Sequence, residues 1–176
     1  MPSRRALFPT APEPNRWTPK THQVFDWLWT SGQLSERDIE ALPGLGVEVV
    51  VNLALPTSSN ALPGVAERVT GLGLAYVQIP VEWEDPLPAQ FEAFAGVLAA
   101  FRGRRLWVHC AKNMRVSAFV YLYRRLLLGE AEEAAAFPLR TVWTPNPVWQ
   151  DFMNRIAAAY ARGPQAASAR SGQPQG

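Results

Sequence analysis

Cysteine and histidine are scarce in this chain, and their scarcity excludes several kinds of protein. The 176 residues contain one cysteine, Cys110, and two histidines. A lone cysteine cannot form an internal disulfide or join a cysteine metal cluster. We therefore predict neither a disulfide framework nor a metal site, and we predict no cofactor. One unpaired thiol is typical of a cytoplasmic protein, which is the location we predict.

Long apolar runs and a strong charge imbalance are also missing. No stretch approaches the roughly 20 apolar residues that a membrane span needs, and the start of the chain, residues 1–6, has no signal-peptide core. The net charge is only +2, without a basic stripe interleaved with aromatics. The sequence therefore predicts neither a membrane nor a nucleic-acid partner. It leaves the oligomeric state open.

The two ends of the chain differ in composition from the part between them. Residues 1–20 hold five of the sixteen prolines, which predicts an extended arm. Residues 163–176 are rich in Gly, Pro, Gln and Ser and predict a disordered tail. A single domain is predicted over residues 21–162, which is long enough to bury a core.

Apolar strands alternate with helical patterns along this domain. Buried strands are predicted over residues 48–53, 74–79 and 105–109, and an edge strand over 27–31. Helices are predicted over residues 35–42, 63–72, 88–101, 116–128 and 130–137, with a last one that Asn146 caps and Pro147 opens. The alternation predicts an α/β fold: a mostly parallel central sheet of about four or five strands with helices on both faces.

The last helix also carries a predicted inward face. Its large apolar and aromatic residues recur at helical spacing, and we expect that face to pack on the sheet. The residues concerned are Trp149, Phe152, Met153, Ile156 and Tyr160.

The segment from His109 to Ser117 carries the chemistry. Cys110 follows a predicted strand and precedes a predicted helix, where unpaired N–H groups and the helix dipole favour an anion. The same field favours a thiolate over a thiol. The pattern indicates a nucleophile beside a cradle for an anionic substrate, at the carboxyl end of the strands. The alternative is a buried inert thiol, the usual fate of a lone cysteine.

The segment resembles the active-site loop of bacterial dual-specificity-like protein tyrosine phosphatases, which are cysteine-dependent. The resemblance covers most of residues 27–160 and is carried by His109, Cys110, Arg115 and Ser117, with weaker support from residues 31–33, 51–54 and 142–149. Four residues separate Cys110 from Arg115, one fewer than is usual in that family, and the usual glycine is absent. Asn113 can fill the glycine position, because asparagine tolerates positive φ.

The resemblance implies a role for each loop residue. Cys110 would be the nucleophile, and Arg115 would clamp the phosphate rather than form a structural ion pair. His109 would either orient the loop through a hydrogen bond from its ring nitrogen or be a structural histidine at the strand end, and Ser117 would bond either to the cysteine sulfur or to the loop backbone. The implied phosphate-binding residues are His109, Ala111, Lys112, Asn113, Met114, Val116 and Ser117.

A general acid is also implied, and it falls between the strand at 74–79 and the helix at 88–101. Asp85 is the first candidate, with Glu84 and Glu82 after it. The other interpretation of Asp85 is a helix cap. The implied reaction is phosphomonoester hydrolysis through a phosphocysteine without a metal ion, on a phosphorylated protein or a small phosphorylated molecule.

Two other functions fit the same residues. One is a rhodanese-like sulfurtransferase, a family that this chain resembles in its single cysteine at a strand end and often in the shorter loop. The other is a catalytically inactive phosphate-binding module, which the displaced arginine suggests.

Overall fold

A computed structural model describes residues 17–163. Most of the predicted arm, residues 1–16, and the predicted tail from residue 164 onward lie outside the described residues. Among residues 17–163, no helix has the length and apolar character needed to cross a bilayer.

Five strands form one sheet in the order β1-β2-β5-β3-β4. They are β1 (His22–Phe25), β2 (Leu28–Ser31), β3 (Val49–Asn52), β4 (Ala75–Gln78) and β5 (Leu106–His109). β1 pairs antiparallel with β2, whereas the other pairs are parallel. The predicted mostly parallel sheet is confirmed, but β1 was not predicted, and β2 is an inner strand rather than an edge because β1 covers it.

A short 3-10 helix spans Leu42–Leu45, and seven α-helices lie between and after the strands in residues 17–163. They are α1 (Glu36–Ala41), α2 (Val65–Gly71), α3 (Pro88–Ala100), α4 (Met114–Leu126), α5 (Glu132–Ala135), α6 (Leu139–Val142) and α7 (Pro147–Ala161). α4 begins two residues earlier than predicted, and α6 was not predicted. Asn146 caps α7 as expected, since its side chain accepts from the N–H of Trp149. On the predicted inward face of α7, Trp149, Phe152 and Ile156 are buried, but Tyr160 is exposed.

Strand residues alternate between two hydrophobic cores, one on each face of the sheet. In β3, Val49 and Val51 pack with residues of α3, α4 and α7, while Val50 packs with residues of α1 and α2. In β5, Leu106 belongs to the first core and Trp107 to the second. This alternation follows from the two-residue period of a strand. The predicted α/β fold with helices on both faces is thereby confirmed, and every central strand is fixed from both sides.

Candidate active site

The loop between β5 and α4 lies at the carboxyl end of the central strand. β5 ends at His109, which is in register with Ser31 of β2 and Asn52 of β3. Cys110 follows at once and is fully buried. Because β5 is flanked by parallel strands on both sides, the position of Cys110 is fixed by the sheet rather than by the loop.

Asn113 ends the loop in a left-handed conformation. Its φ is 61° and ψ is 3°, and it occupies the N-cap position of α4. Its side chain makes no capping hydrogen bond to the helix. The N–H groups of the first turn of α4 therefore have no side-chain acceptor, which is the arrangement that binds an anion at a helix start. The conformation that a glycine would supply is supplied here by asparagine.

The back of the loop is held by two outer segments. The carbonyl oxygen of Ala111 accepts from the N–H of Gln33, at 3.1 Å, and from the side-chain amide of Asn60, at 2.9 Å. Gly32 lies so close that a Cβ there would stand 3.0 Å from the same oxygen. Position 32 therefore requires glycine, because a side chain there would force the loop to shift.

A polar cluster at the end of β3 directs the chain toward the loop. The Asn52 side chain accepts from the N–H of Ala54 at 2.9 Å and donates to Tyr76 at 3.1 Å. Gln78 donates from its side-chain amide to the carbonyl of Ala54, at 2.5 Å. These bonds set the exit direction of β3, and the following residues carry Asn60 to the loop.

Arg115 has the geometry of an anion-binding side chain. It is 8% exposed, and its Nε is buried without a hydrogen-bond partner. Its guanidinium carbon lies 5.5 Å from the centre of the Trp83 ring. No salt bridge to Arg115 exists within residues 17–163, so the structural ion pair considered from the sequence is not formed there. A buried cation with an unused donor is suited to an incoming oxyanion.

Three tryptophans support Arg115 and the start of α4. The ring centre of Trp83 lies 5.2 Å from that of Trp143 and 5.5 Å from that of Trp149. The indole N–H of Trp143 is shared between the carbonyl of Met114, at 3.1 Å, and the hydroxyl of Ser117, at 3.2 Å. The Ser117 hydroxyl donates to the same Met114 carbonyl at 3.0 Å. Of the two interpretations of Ser117, the structure therefore contains the bond to the backbone.

A cavity of about 340 Å³ opens above the loop. Its lining residues are Ser58, Ser59, Trp83, Ala111, Lys112, Met114 and Arg115. A larger cavity, of about 680 Å³, lies between α4, α6 and α7 and contains none of the loop residues. We place the site at the smaller cavity because Arg115 and three residues of the loop after Cys110 line it, whereas Cys110 itself is fully buried and is not part of the lining.

The predicted binding residues divide between the wall of the cavity and the layer beneath it. Three of them line the cavity: Ala111, Lys112 and Met114. The other four are buried behind the wall: His109, Asn113, Val116 and Ser117. Ser58 and Ser59 were missed by the sequence analysis. The signal available for them was a polar run after a buried strand, which ordinary loops share.

The three candidate acids lie outside the cavity lining. Glu82, Glu84 and Asp85 are all exposed, whereas Trp83 between them faces the cavity. Asp85 does not cap α3, because the N-cap residue is Leu87, whose N–H donates to the side chain of Gln90 at 2.8 Å. The helix-cap interpretation of Asp85 is therefore wrong.

His109 is fully buried, which favours the neutral form of its ring. Neither ring nitrogen has a partner with hydrogen-bond geometry. Burial lowers its pKa from 6.5 to about 4, and the nearby Cys110 backbone partly opposes this shift although its geometry with the ring falls outside that of a hydrogen bond. The hydrogen bond through which we expected His109 to orient the loop is thus not formed by its ring.

No cluster of three metal-ligating side chains occurs in the described part of the chain, from Trp17 to Gly163. The site consists of a thiol, a guanidinium and helix-start amides. Such a set can bind a tetrahedral oxyanion and place a sulfur nucleophile beneath it.

Comparison with known proteins identifies relatives for this arrangement. The family described as a DSP-PTPase phosphatase fused to NAD+ kinase matches residues 13–146. The crystal structure of a putative phosphatase (DUF442) from Shewanella putrefaciens CN-32 is 34% identical, with a TM-score of 0.71, over 80% of this chain and 92% of that one. A search of curated proteins found no match.

Two more distant structures share the fold. TpbA of P. aeruginosa, in complex with phosphotyrosine, is 20% identical with a TM-score of 0.58, over 96% of each chain. PTPMT1, in complex with PI(5)P, is 14% identical with a TM-score of 0.68, over 81% of this chain and 97% of that one. At these identities the likeness concerns the fold alone.

Proposed function

Since the chain belongs to the family of DSP-PTPase phosphatases, we propose that it hydrolyses phosphomonoesters through a phosphocysteine on Cys110. One observation carries the proposal. The only thiol immediately precedes the loop that leads to Arg115, whose buried Nε has no partner in the described part of the chain, and no side chain of Asn113 caps the N–H groups of the helix that follows the loop. These groups would hold a phosphate over the sulfur.

The reaction has two steps. The Cys110 thiolate attacks phosphorus, a sulfur–phosphorus bond forms, and the bond to the ester oxygen breaks while that oxygen takes a proton. Water then attacks the phosphocysteine, releasing phosphate and restoring the thiolate. Arg115 stabilises the charge on the equatorial oxygens in both transition states. No step uses a metal ion.

Asp85 is the proposed proton donor to the leaving oxygen, with Glu84 and Glu82 as the other candidates. All three are exposed outside the cavity, so the donor reaches the substrate only through movement of the loop that also carries Trp83. Leaving groups that are weak bases need this proton least.

The substrate we propose is a phosphorylated protein or a small phosphorylated molecule. Trp83 and Met114 give the cavity an apolar wall, and Lys112 adds an exposed cation at its rim. This combination suits an aryl phosphate such as phosphotyrosine, the ligand seen with TpbA. A cytoplasmic location would keep the lone thiol reduced.

Hydrolysis of p-nitrophenyl phosphate tests the proposal. We expect activity that vanadate blocks and chelators leave intact. Cys110→Ser should abolish turnover while retaining phosphate binding by calorimetry, and acid quenching of the wild type should trap one phosphoryl group on Cys110 by mass. Activity that survives Cys110→Ser, or that requires magnesium, would overturn the proposal.

A sulfurtransferase remains the second candidate, because within residues 17–163 no carboxylate lines the cavity and sulfur transfer needs no leaving-group acid. Cys110 would attack the outer sulfur of thiosulfate, the sulfur–sulfur bond would break, and sulfite would leave behind a persulfide. Incubation with thiosulfate and mass analysis test this directly, through the gain of one sulfur atom on Cys110. Phosphate binding without either reaction would instead indicate a binding module.

A further inference from the structure

A short segment before the sheet lies behind the active-site loop. This segment, residues 17–21, is called the strap here. The Thr18 hydroxyl donates to the carbonyl of Gln33 at 2.7 Å, and the Thr21 hydroxyl donates to the carbonyl of Thr18 at 2.6 Å. The Trp17 ring lies 4.9 Å from that of Trp107. The strap is therefore held to the same segment, around Gln33, that supports the loop.

Asn113 connects the loop to the strap directly. The residue is fully buried, and its side-chain amide donates to the carbonyl of Lys20 at 2.8 Å and to the hydroxyl of Thr30 at 3.1 Å. Lys20 and Asn113, with φ of 60° and 61°, are also the two non-glycine residues between Trp17 and Gly163 that adopt positive φ. The hydrogen bond thus joins two unfavourable backbone conformations, one in the strap and one in the loop.

We propose that Asn113 is a positioning residue, which fixes the orientation of the loop amides by tethering them to the strap and to β2. The proposal rests on the proposed function of the loop. Glycine at this position would supply the backbone conformation without the tether, and most other residues would supply neither. The strap is then part of the oxyanion-binding apparatus although no strap residue lines the cavity.

The test separates the tether from the backbone conformation. Asn113→Gly keeps the positive φ and removes both hydrogen bonds, whereas Thr30→Val removes one of them. Because catalytic groups tolerate little misplacement, we expect Asn113→Gly to weaken vanadate inhibition about tenfold or more and Thr30→Val to weaken it less. Expressed as free energies, the loss of vanadate binding in the double variant should be smaller than the sum of the losses in the two single variants, because both single variants remove the hydrogen bond between Asn113 and Thr30.

Two controls distinguish positioning from stability. Val69→Ala, in the core on the face of the sheet that α1 and α2 cover, should lower the thermal midpoint and leave vanadate inhibition unchanged. Thr70→Val removes a side-chain hydrogen bond on the surface of α2 and should change neither the thermal midpoint nor vanadate inhibition. Unchanged vanadate inhibition in Asn113→Gly would overturn the tether while leaving the proposed function intact. A wild-type protein that binds neither vanadate nor phosphate by calorimetry would overturn both.

Discussion

The guanidinium of Arg115 lies against the ring of Trp83, with its central carbon 5.5 Å from the ring centre. The contact holds a cation that has no carboxylate partner in the described part of the chain. It also joins the proposed phosphate clamp to the loop that carries Asp85. The interaction between these two residues therefore sets how freely Arg115 can turn toward a bound oxyanion.

Replacing Trp83 should weaken oxyanion binding. Cation–π contacts of this kind contribute about 1 kcal/mol, so we expect Trp83→Ala to raise the inhibition constant of vanadate about fivefold. Trp83→Phe, which keeps an aromatic face, should lose less. Trp27→Ala serves as the control because Trp27 lies outside the cavity lining. Equal inhibition of wild type and Trp83→Ala would show that the stacking does not position Arg115.

Arg115→Lys should lower kcat/KM for p-nitrophenyl phosphate roughly a hundredfold, since a lysine cannot donate two parallel hydrogen bonds to a phosphate. Arg102→Lys, at an exposed position, is the matched control and should retain full activity. Thermal melting would verify that both variants are folded. A substitution at Arg115 that left kcat/KM within twofold of wild type would refute its role as the clamp.

The role of Asp85 depends on the leaving group. Asp85→Asn should slow hydrolysis of an alkyl phosphate much more than that of p-nitrophenyl phosphate, because only the alkoxide needs the proton to leave. A series of aryl phosphates measures this as a steeper dependence of kcat on leaving-group pKa. Glu92→Gln, an exposed carboxylate on α3, provides the comparison. An unchanged slope would move the assignment to Glu84 or Glu82.

His109 should make the fold sensitive to acid. Burial lowers its pKa from 6.5 to about 4, so between these values the unfolded chain binds a proton that the folded chain does not. Stability present above pH 6.5 is therefore lost as the pH falls toward 4, by about 3 kcal/mol from this group. We expect His109→Gln to flatten the dependence of the unfolding free energy on pH, measured by urea titration.

The other histidine provides the control for that experiment. Burial also lowers the pKa of His22, so its effect has the same sign. The unfolding free energy of His22→Gln should nevertheless still fall between pH 6.5 and 4, because His109 is intact in this variant. If the pH dependence of wild type and His109→Gln coincided, the buried imidazole would not be its source.

The elements that could be predicted from sequence are those whose signal is local. β3 and β5 are nearly continuous apolar runs, as buried parallel strands are, and Asn146 with Pro147 marks the start of α7. β1 was missed because His22–Phe25 pairs on one side only and is partly exposed, so it has no apolar run. Without β1, the sequence predicts β2 as an edge strand.

In the site, too, the residues that could be predicted from sequence are those with a local signal. The sequence predicted Cys110, Arg115 and the amides between them, since they are consecutive residues at a strand end. It did not locate the loop carrying Glu82, Glu84 and Asp85 relative to the cavity, because that depends on how Trp83 packs against distant tryptophans. It also missed the bond from Asn60 to Ala111, which joins residues 51 positions apart.

The doubly held carbonyl of Ala111 has one more consequence. A trans peptide group is planar, with its oxygen and its N–H directed to opposite sides. Two donors, from Gln33 and Asn60, hold the oxygen, so the N–H of Lys112 is directed to the opposite side of this peptide group, and rotating the peptide plane would break both bonds. The orientation of this peptide dipole is thus fixed before an anion binds. The free and the anion-bound protein should therefore have the same orientation of this peptide group.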